Sequence, residues 1–270
     1  MRVAINTDCL KMPLAEILPL IADAGFKELI WCYLWNSDEL YSAGDLRTFR
    51  NLLKKNDLNI TNVHGSCGVE NAIHSSDPAR RDAGVKLVRN RLHFMDTLGI
   101  DGALTLHVPF FNSLQNRTDR QIMAERLKMT RLSLDELMPD LQKYRIPLAL
   151  ENMPHDNYDI LEMLMDEYPA EFVGLTFDTG HGNIAGNVEN FCRMSSRVMA
   201  LHLNDNDSTA DQHQLPGDGS VNWDKCMEQL KKMPQCAGKL EFELSLRSPE
   251  QLPEAWQRCS AFAEKFTALS

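Results

Sequence analysis

Three runs decide the fold: LALEN (148–152), GLTFD (174–178) and VMALHLN (198–204). Each is a short apolar stretch of strand length, and each carries one residue that a buried strand does not need: Glu151, Asp178 and His202. Toward the carboxyl end a similar run is KLEFEL (239–244). Toward the amino end they are VAIN (3–6), ELIWCY (28–33), ITNVH (60–64) and ALTLH (103–107). Between the runs lie longer segments with apolar residues spaced near the helical period, such as LAEILPLIADAGF (14–26), GVKLVRNRLHFMDTLGI (84–100) and MAERLKMTRLSLDELMPDLQKY (123–144). Turn breakers at Ala24-Gly25, Leu98-Gly99, Ile146-Pro147 and Ala237-Gly238 stand just before the next strand. Eight strands alternating with helices predict parallel βαβ units, and eight is the number that closes a barrel. The expected fold is therefore one (β/α)8 barrel over residues 1–270. An open doubly wound sheet is the alternative, but no glycine-rich phosphate loop follows the first strand.

Composition narrows the function classes. The chain has 270 residues, 43% of them hydrophobic and 24% charged, which suits a large buried core and argues against global disorder. Its 28 basic and 38 acidic residues give a formal charge of −10. That balance disfavours nucleic acid or an anionic membrane as partner, because phosphate binding needs a dense positive field. The seven cysteines, Cys9, Cys32, Cys67, Cys192, Cys226, Cys236 and Cys259, form no CxxC pair and are odd in number. Reduced, buried thiols are the simplest reading, and with no signal-peptide pattern at MRVAINTDCLK the expected compartment is the cytoplasm.

In a barrel of this kind, ligands bind at the carboxyl ends of the strands. Five of the eight histidines fall there or just beyond: His64, His107, His181, His202 and His213. Glu151, Asp178 and Glu243 close strands five, six and eight, and Asp211 stands two residues before His213. Taken singly each has an ordinary alternative. Glu151 could cap a helix, Asp178 could form a turn, His202 could be a core histidine, and Glu241 rivals Glu243 on the same strand face. Converging on one rim, several carboxylates would repel one another and resist desolvation unless a cation joined them. Oxygen ligands with one or two imidazoles suit Mn, Mg, Co or Zn. His93, His74 and His155 read as structural or surface residues, with only His155 near the rim. Trp31, Tyr33 and Trp35 flank the acidic, aromatic loop LWNSDELYSAGD, where Trp31 and Trp35 are candidates to wall a ligand pocket.

LALENM, GLTFDTGHGNIAG, ALHLNDND, DQHQLPGDGSVNW and AGKLEFEL, with NVHG and LTLHVP before them, resemble the xylose-isomerase-like TIM-barrel superfamily. That superfamily includes sugar isomerases, sugar 3-epimerases, inositol-catabolism enzymes and apurinic endonuclease IV. The resemblance implies a divalent metal on Glu151, Asp178, His202 and Glu243, with Glu151 and Glu243 as an acid–base pair and His181 touching substrate oxygens. His64 and His107 are then further substrate contacts. It implies a metal-dependent isomerase or epimerase acting by proton transfer on a small keto- or aldo-sugar or a related polyol derivative. Homo-oligomers are common among such barrels. The rival is an endonuclease-IV-like phosphodiesterase with three zinc ions. Its ligand sets would be His64, His107 and Glu151; Asp178, His202 and Glu243; and His181, Asp211 and His213. A non-catalytic metal-binding barrel is the third class.

Overall fold

The computed structural model of the chain describes residues 1–65, 71–107, 120–154, 158–186, 188–233 and 238–268. The strands are β1 (Arg2–Asn6), β2 (Glu28–Trp31), β3 (Asn59–His64), β4 (Ala103–Leu106), β5 (Leu148–Glu151), β6 (Val173–Asp178), β7 (Val198–His202) and β8 (Lys239–Phe242). Around them lie α1 (Leu14–Ala24), α2 (Ala43–Asn56), α3 (Pro78–Leu98), α4 (Arg120–Tyr144), α5 (Asp159–Glu167), α6 (Thr179–Ala185), α7 (Trp223–Leu230) and α8 (Leu252–Ala268), with a 3-10 segment at Val188–Arg197. One eight-stranded parallel sheet runs in the order β7-β6-β5-β4-β3-β2-β1-β8. Leu203 pairs with Phe242 and joins its two ends into a barrel, so the open doubly wound alternative falls.

Local chemistry supports the alternation. Helix α2 opens on a reciprocal capping box between Ser42 and Asp45. Helix α3 starts on the Asp77 cap with Pro78 following and stops at Gly99, φ 70°. Gly25 ends α1 at φ 118°, and a Cβ there would sit 2.7 Å from Trp256 Nε1, so both conformation and space require glycine.

The main core lies between the sheet and the helices, and two small clusters fill the barrel itself: Ala4, Ile30 and Cys32, and Ala103, Ala149, Met199 and Ala200. Small interior residues leave room for polar ones, and Thr105 Oγ1 meets Asn62 Oδ1 at 3.1 Å and Thr176 Oγ1 at 2.8 Å.

Five strands end earlier than their apolar runs predict: β4 at Leu106 and β5 at Glu151 by one residue, and β2 at Trp31, β7 at His202 and β8 at Phe242 by two. The reason is visible at the mouth, where side chains take over ladder bonds. Cys32 N donates to Thr7 Oγ1 at 2.9 Å, and Leu244 N donates to Asn6 Oδ1 at 2.8 Å. Cys9, Cys32, Cys226 and Cys259 are free and buried. Cys67, Cys236, Ala237, His155 and the Val108-Pro109 end of LTLHVP lie outside the described residues, as does the Cys192 side chain. Among the described residues no helix is long and apolar enough to cross a membrane.

Candidate metal centre

Alternation along the strands decides which side chains reach the mouth. Residues two apart share a face, so His64, Glu151, Asp178 and His202 at the last inward positions of β3, β5, β6 and β7 gather on the barrel axis. His107 and Glu243 stand one residue beyond β4 and β8. One ligand atom from each of Glu151, Asp178, His202 and Glu243 lies within 4.8 Å of the others, and all four residues are buried. Three further groups meet the same criterion beside them: His64, His107 and Glu151; His64, His202 and Glu243; and His181, Asp211 and His213. The rim therefore brings together all nine metal-capable residues picked out in the sequence. Of the Glu241–Glu243 pair, Glu243 reaches the rim and Glu241 lies one pleat below.

The contacts are short and overlapping. His202 Nδ1 stands between Glu151 Oε1 at 2.9 Å and Glu243 Oε2 at 3.0 Å. Glu151 Oε2 is 2.9 Å from His107 Nε2 and 3.7 Å from His64 Nε2. His181 Nδ1 donates to Asn152 O at 2.8 Å, which aims its Nε2 at Asp211 Oδ2, 3.2 Å away. Asp211 Oδ1 is 3.0 Å from His213 Nε2. Asp178 caps α6 by accepting from His181 N at 2.6 Å and also receives Asn204 Nδ2 at 2.9 Å. It is thus both the helix cap that its position in a turn suggests and a member of the buried quartet.

Protons hold this acidic cluster together. Burial would raise the Glu151 carboxyl, but the imidazoles of His202 and His107 hold it well below the usual range. Glu243 behaves alike and falls to about 2, burial being outweighed by His202. Burial lifts Asp178 to about 6, reinforced by Glu151 and Asp211 and only partly offset by His181. Burial opposes charge on His181 and His213 as well, yet Asp178 and Asp211 raise His181 to about 9, and Asp211 and Glu243 raise His213 to about 10. His64 goes the other way, down to about 4, through burial and the neighbouring His107.

A divalent cation fits this donor set, since it would neutralise the carboxylates that imidazolium protons otherwise balance.

Trp35 reaches the mouth. Its ring lies 4.8 Å from that of His64 and 5.4 Å from that of His107, and its Nε1 donates to Asp8 Oδ2 at 3.1 Å. Trp31 does not, which corrects its assignment to a pocket wall. It is fully buried against Phe49 and Phe94 on the helix side of the sheet, with Nε1 donating to Tyr41. The physical reason is parity, because Ile30 and Cys32 face the barrel and Trp31 between them faces out. Sequence reasoning missed Asn152 and Asn204, which hold Asp178 from both sides. The available signal was an asparagine directly after Glu151 and another two residues after His202.

A family described as xylose isomerase-like TIM barrel matches residues 18–262. Uncharacterized protein y4fM of Sinorhizobium fredii is 26% identical over 233 residues, covering 77% of this chain and 73% of its own. A D-tagatose 3-epimerase-like protein of known structure superposes with a TM-score of 0.75 at 22% identity, over 98% of this chain and 99% of that one. The IolI protein with a bound zinc atom gives 0.67 at 16% identity, covering 98% of both chains.

Proposed function

The chain belongs to the xylose isomerase-like TIM-barrel family, and we propose that it is a metal-dependent sugar isomerase or epimerase working by proton transfer. Its substrate class is a small keto- or aldo-sugar, or a related polyol derivative. The observation that carries this is the buried quartet Glu151, Asp178, His202 and Glu243, drawn from four different strands and gathered within 4.8 Å.

Glu151, Asp178, His202 and Glu243 would hold a divalent cation such as Zn, Mn, Mg or Co. When bound, the cation supplies Lewis-acid polarisation of the substrate carbonyl, which acidifies the neighbouring C–H. Glu151 and Glu243 come from β5 and β8 and reach His202 Nδ1 from two sides, the geometry of a pair flanking one reacting carbon. One carboxylate removes the proton beside the carbonyl, and the other, carrying a proton, returns one to the opposite face. Net charge is unchanged and the stereocentre inverts. His181, fixed by Asn152, holds substrate hydroxyls. His64, His107 and Trp35 line the β2–β4 side, where an aromatic face packs on sugar C–H groups. A zinc atom bound to IolI and the D-tagatose 3-epimerase-like fold neighbour support both halves of this reading.

A second reading rests on one specific observation: the mouth holds ligand groups beyond the quartet, among them His64, His107 and Glu151, and His181, Asp211 and His213. Three ions there would suit phosphodiester hydrolysis through an activated hydroxide. A chain charge of −10 opposes the grip on nucleic acid that such a hydrolase needs.

Elemental analysis of the purified chain, followed by turnover of unphosphorylated keto-sugars in D2O, separates the two. About one metal per chain and deuterium incorporated beside the carbonyl are expected. Close to three zincs with no deuterium uptake, or cleavage of abasic DNA, would overturn the sugar enzyme. His64→Ala should leave an isomerase largely active and disable a three-ion hydrolase.

A further inference from the structure

β7 and β8 are neighbours in the barrel but not in a continuous ladder. The other seven junctions form runs of paired residues. At the β7–β8 seam, among the described residues, only Leu203 bridges, with Leu203 N donating to Glu241 O at 2.8 Å and Glu243 N donating to Leu203 O at 3.1 Å. One pleat below, regular parallel pairing would give the Leu201 amide a backbone carbonyl of β8. Instead it donates to the side chain of Glu241, at Oε2, 2.9 Å away.

Glu241 is fully buried and held on every side. Its Oε1 accepts from Thr61 Oγ1 on β3 at 2.8 Å and from Lys239 Nζ at 3.0 Å, and Lys239 Nζ also reaches Thr61 O at 3.3 Å. The carboxylate therefore spans the barrel interior from β3 to the seam, with its charge balanced by Lys239. A buried ion pair is a poor device for stability alone, because desolvation offsets most of its attraction. What sets this one apart is its place in the chain. Leu201 immediately precedes His202, and Glu241 sits two residues before Glu243 on the same strand face.

We propose that Glu241 is a positioning residue for the metal centre. It clasps the β7–β8 seam below the rim and so fixes His202 Nδ1 and Glu243 Oε2 at their 3.0 Å separation. The inference rests on the metal-centre reading above, in which a cation joins the same two strands one layer higher. Lower clasp and upper clasp are then coupled, and the coupling is reciprocal. Losing Glu241 weakens the ion, and binding the ion slows opening at Leu201.

The test uses the full chain as wild type, Glu241→Gln, Glu241→Ala and Thr61→Val. Three quantities are measured: Co(II) affinity by chelator competition, the visible spectrum of the Co(II)-saturated protein, and amide exchange across residues 198–203 without metal. Groups that orient a metal ligand typically change affinity 10–100-fold. Co(II) binding should weaken by about 10-fold in Glu241→Gln and Thr61→Val and by up to about 100-fold in Glu241→Ala. The Co(II) spectrum should shift, and exchange across 198–203 should quicken, most in the alanine variant. Should Glu241→Ala fail to fold, the other two variants decide by the same criteria. Wild-type affinity and an unshifted spectrum beside faster exchange would make Glu241 a purely structural clasp and overturn the proposal. A wild-type chain that takes up no Co(II) fails at the earlier step, the metal centre itself.

Discussion

The quartet Glu151, Asp178, His202 and Glu243 and the triad His181, Asp211 and His213 stand side by side at one mouth, yet different parts of the chain hold them. The quartet sits on strand ends, buried and braced by neighbours such as Asn152 and Asn204. Two of the triad sit on the segment between β7 and α7, where the Asp211 side chain is 37% exposed and His213 adopts φ 49°. That segment owes its shape to Asp205. Its carboxylate accepts from Asn206 N, Val221 N, Gly217 N and Trp223 Nε1 at 2.8–3.0 Å, and its backbone pairs with Gln214. A site fixed by strands can hold reacting groups to a fraction of an ångström, whereas a loop-borne site can adjust to what binds it. Under the proposed function, the chemistry falls to the quartet and the fit of the substrate to the triad.

The largest effect that could break this division is on turnover. Glu243→Ala removes one of the two carboxylates proposed as the acid–base pair, and kcat should fall by about 10³–10⁴-fold, in the range general acid–base groups contribute. Asp211→Asn should act mainly through KM, by about 10-fold, as loss of one substrate-orienting hydrogen bond would. Steady-state kinetics of the two variants on one sugar checks the contrast. Equal losses of kcat would place the triad in the chemistry and favour the three-ion hydrolase.

A smaller effect sharpens it. Asp205→Ala leaves four donors without their acceptor, and with partial hydration by water the chain should lose about 2–3 kcal/mol of stability. Urea unfolding measures that loss. Co(II) bound to the quartet should keep its spectrum, because none of the four groups bonded to the Asp205 carboxylate bonds Glu151 or Glu243, and His213 Nδ1 on the same segment stays 3.9 Å from Glu243 Oε2. A changed spectrum would mean that the loop organises the whole mouth.

The same contrast explains what was legible in the sequence. Strand-borne ligands announce themselves, since a charged residue closing an apolar run at period two has few other uses, and Glu151, Asp178 and His202 were found that way. Glu243 was separable from Glu241 only by its distance along the strand, which the barrel geometry honours. Trp31 was misplaced by one residue of parity, an error that no count of aromatics near a loop can correct. Asn152 and Asn204 carry no periodic signal, because their work is done by amides bonded to Asp178 rather than by a face they share. The Glu241 clasp was invisible for a related reason: it depends on a ladder that is missing, and a sequence shows only the bonds it could form.

The last effect is on pH. In the metal-free chain His181 titrates near 9 and His213 near 10, both raised by Asp211 and its acidic neighbours against the opposing pull of burial. The unfolded imidazole titrates near 6.5. A base whose pKa is raised on folding binds its proton more tightly in the native state, so its stabilising contribution is complete below about 6.5. That contribution is lost as pH climbs through 9 and 10. With chelator present, the thermal midpoint should therefore fall between pH 7 and pH 10. With a divalent ion on the quartet, His202 has given up its proton and the charges of Asp178 and Glu243 that raise His181 and His213 are neutralised, so the fall should shrink. His213→Asn then distinguishes the two regions. If it flattens the alkaline fall, the loop triad carries it. If the fall persists, the buried quartet carries it through His202, which Glu243 and Glu151 also raise against burial. A chelated wild-type chain with the same midpoint at pH 7 and pH 10 would show that protons do not take the cation's place at either site.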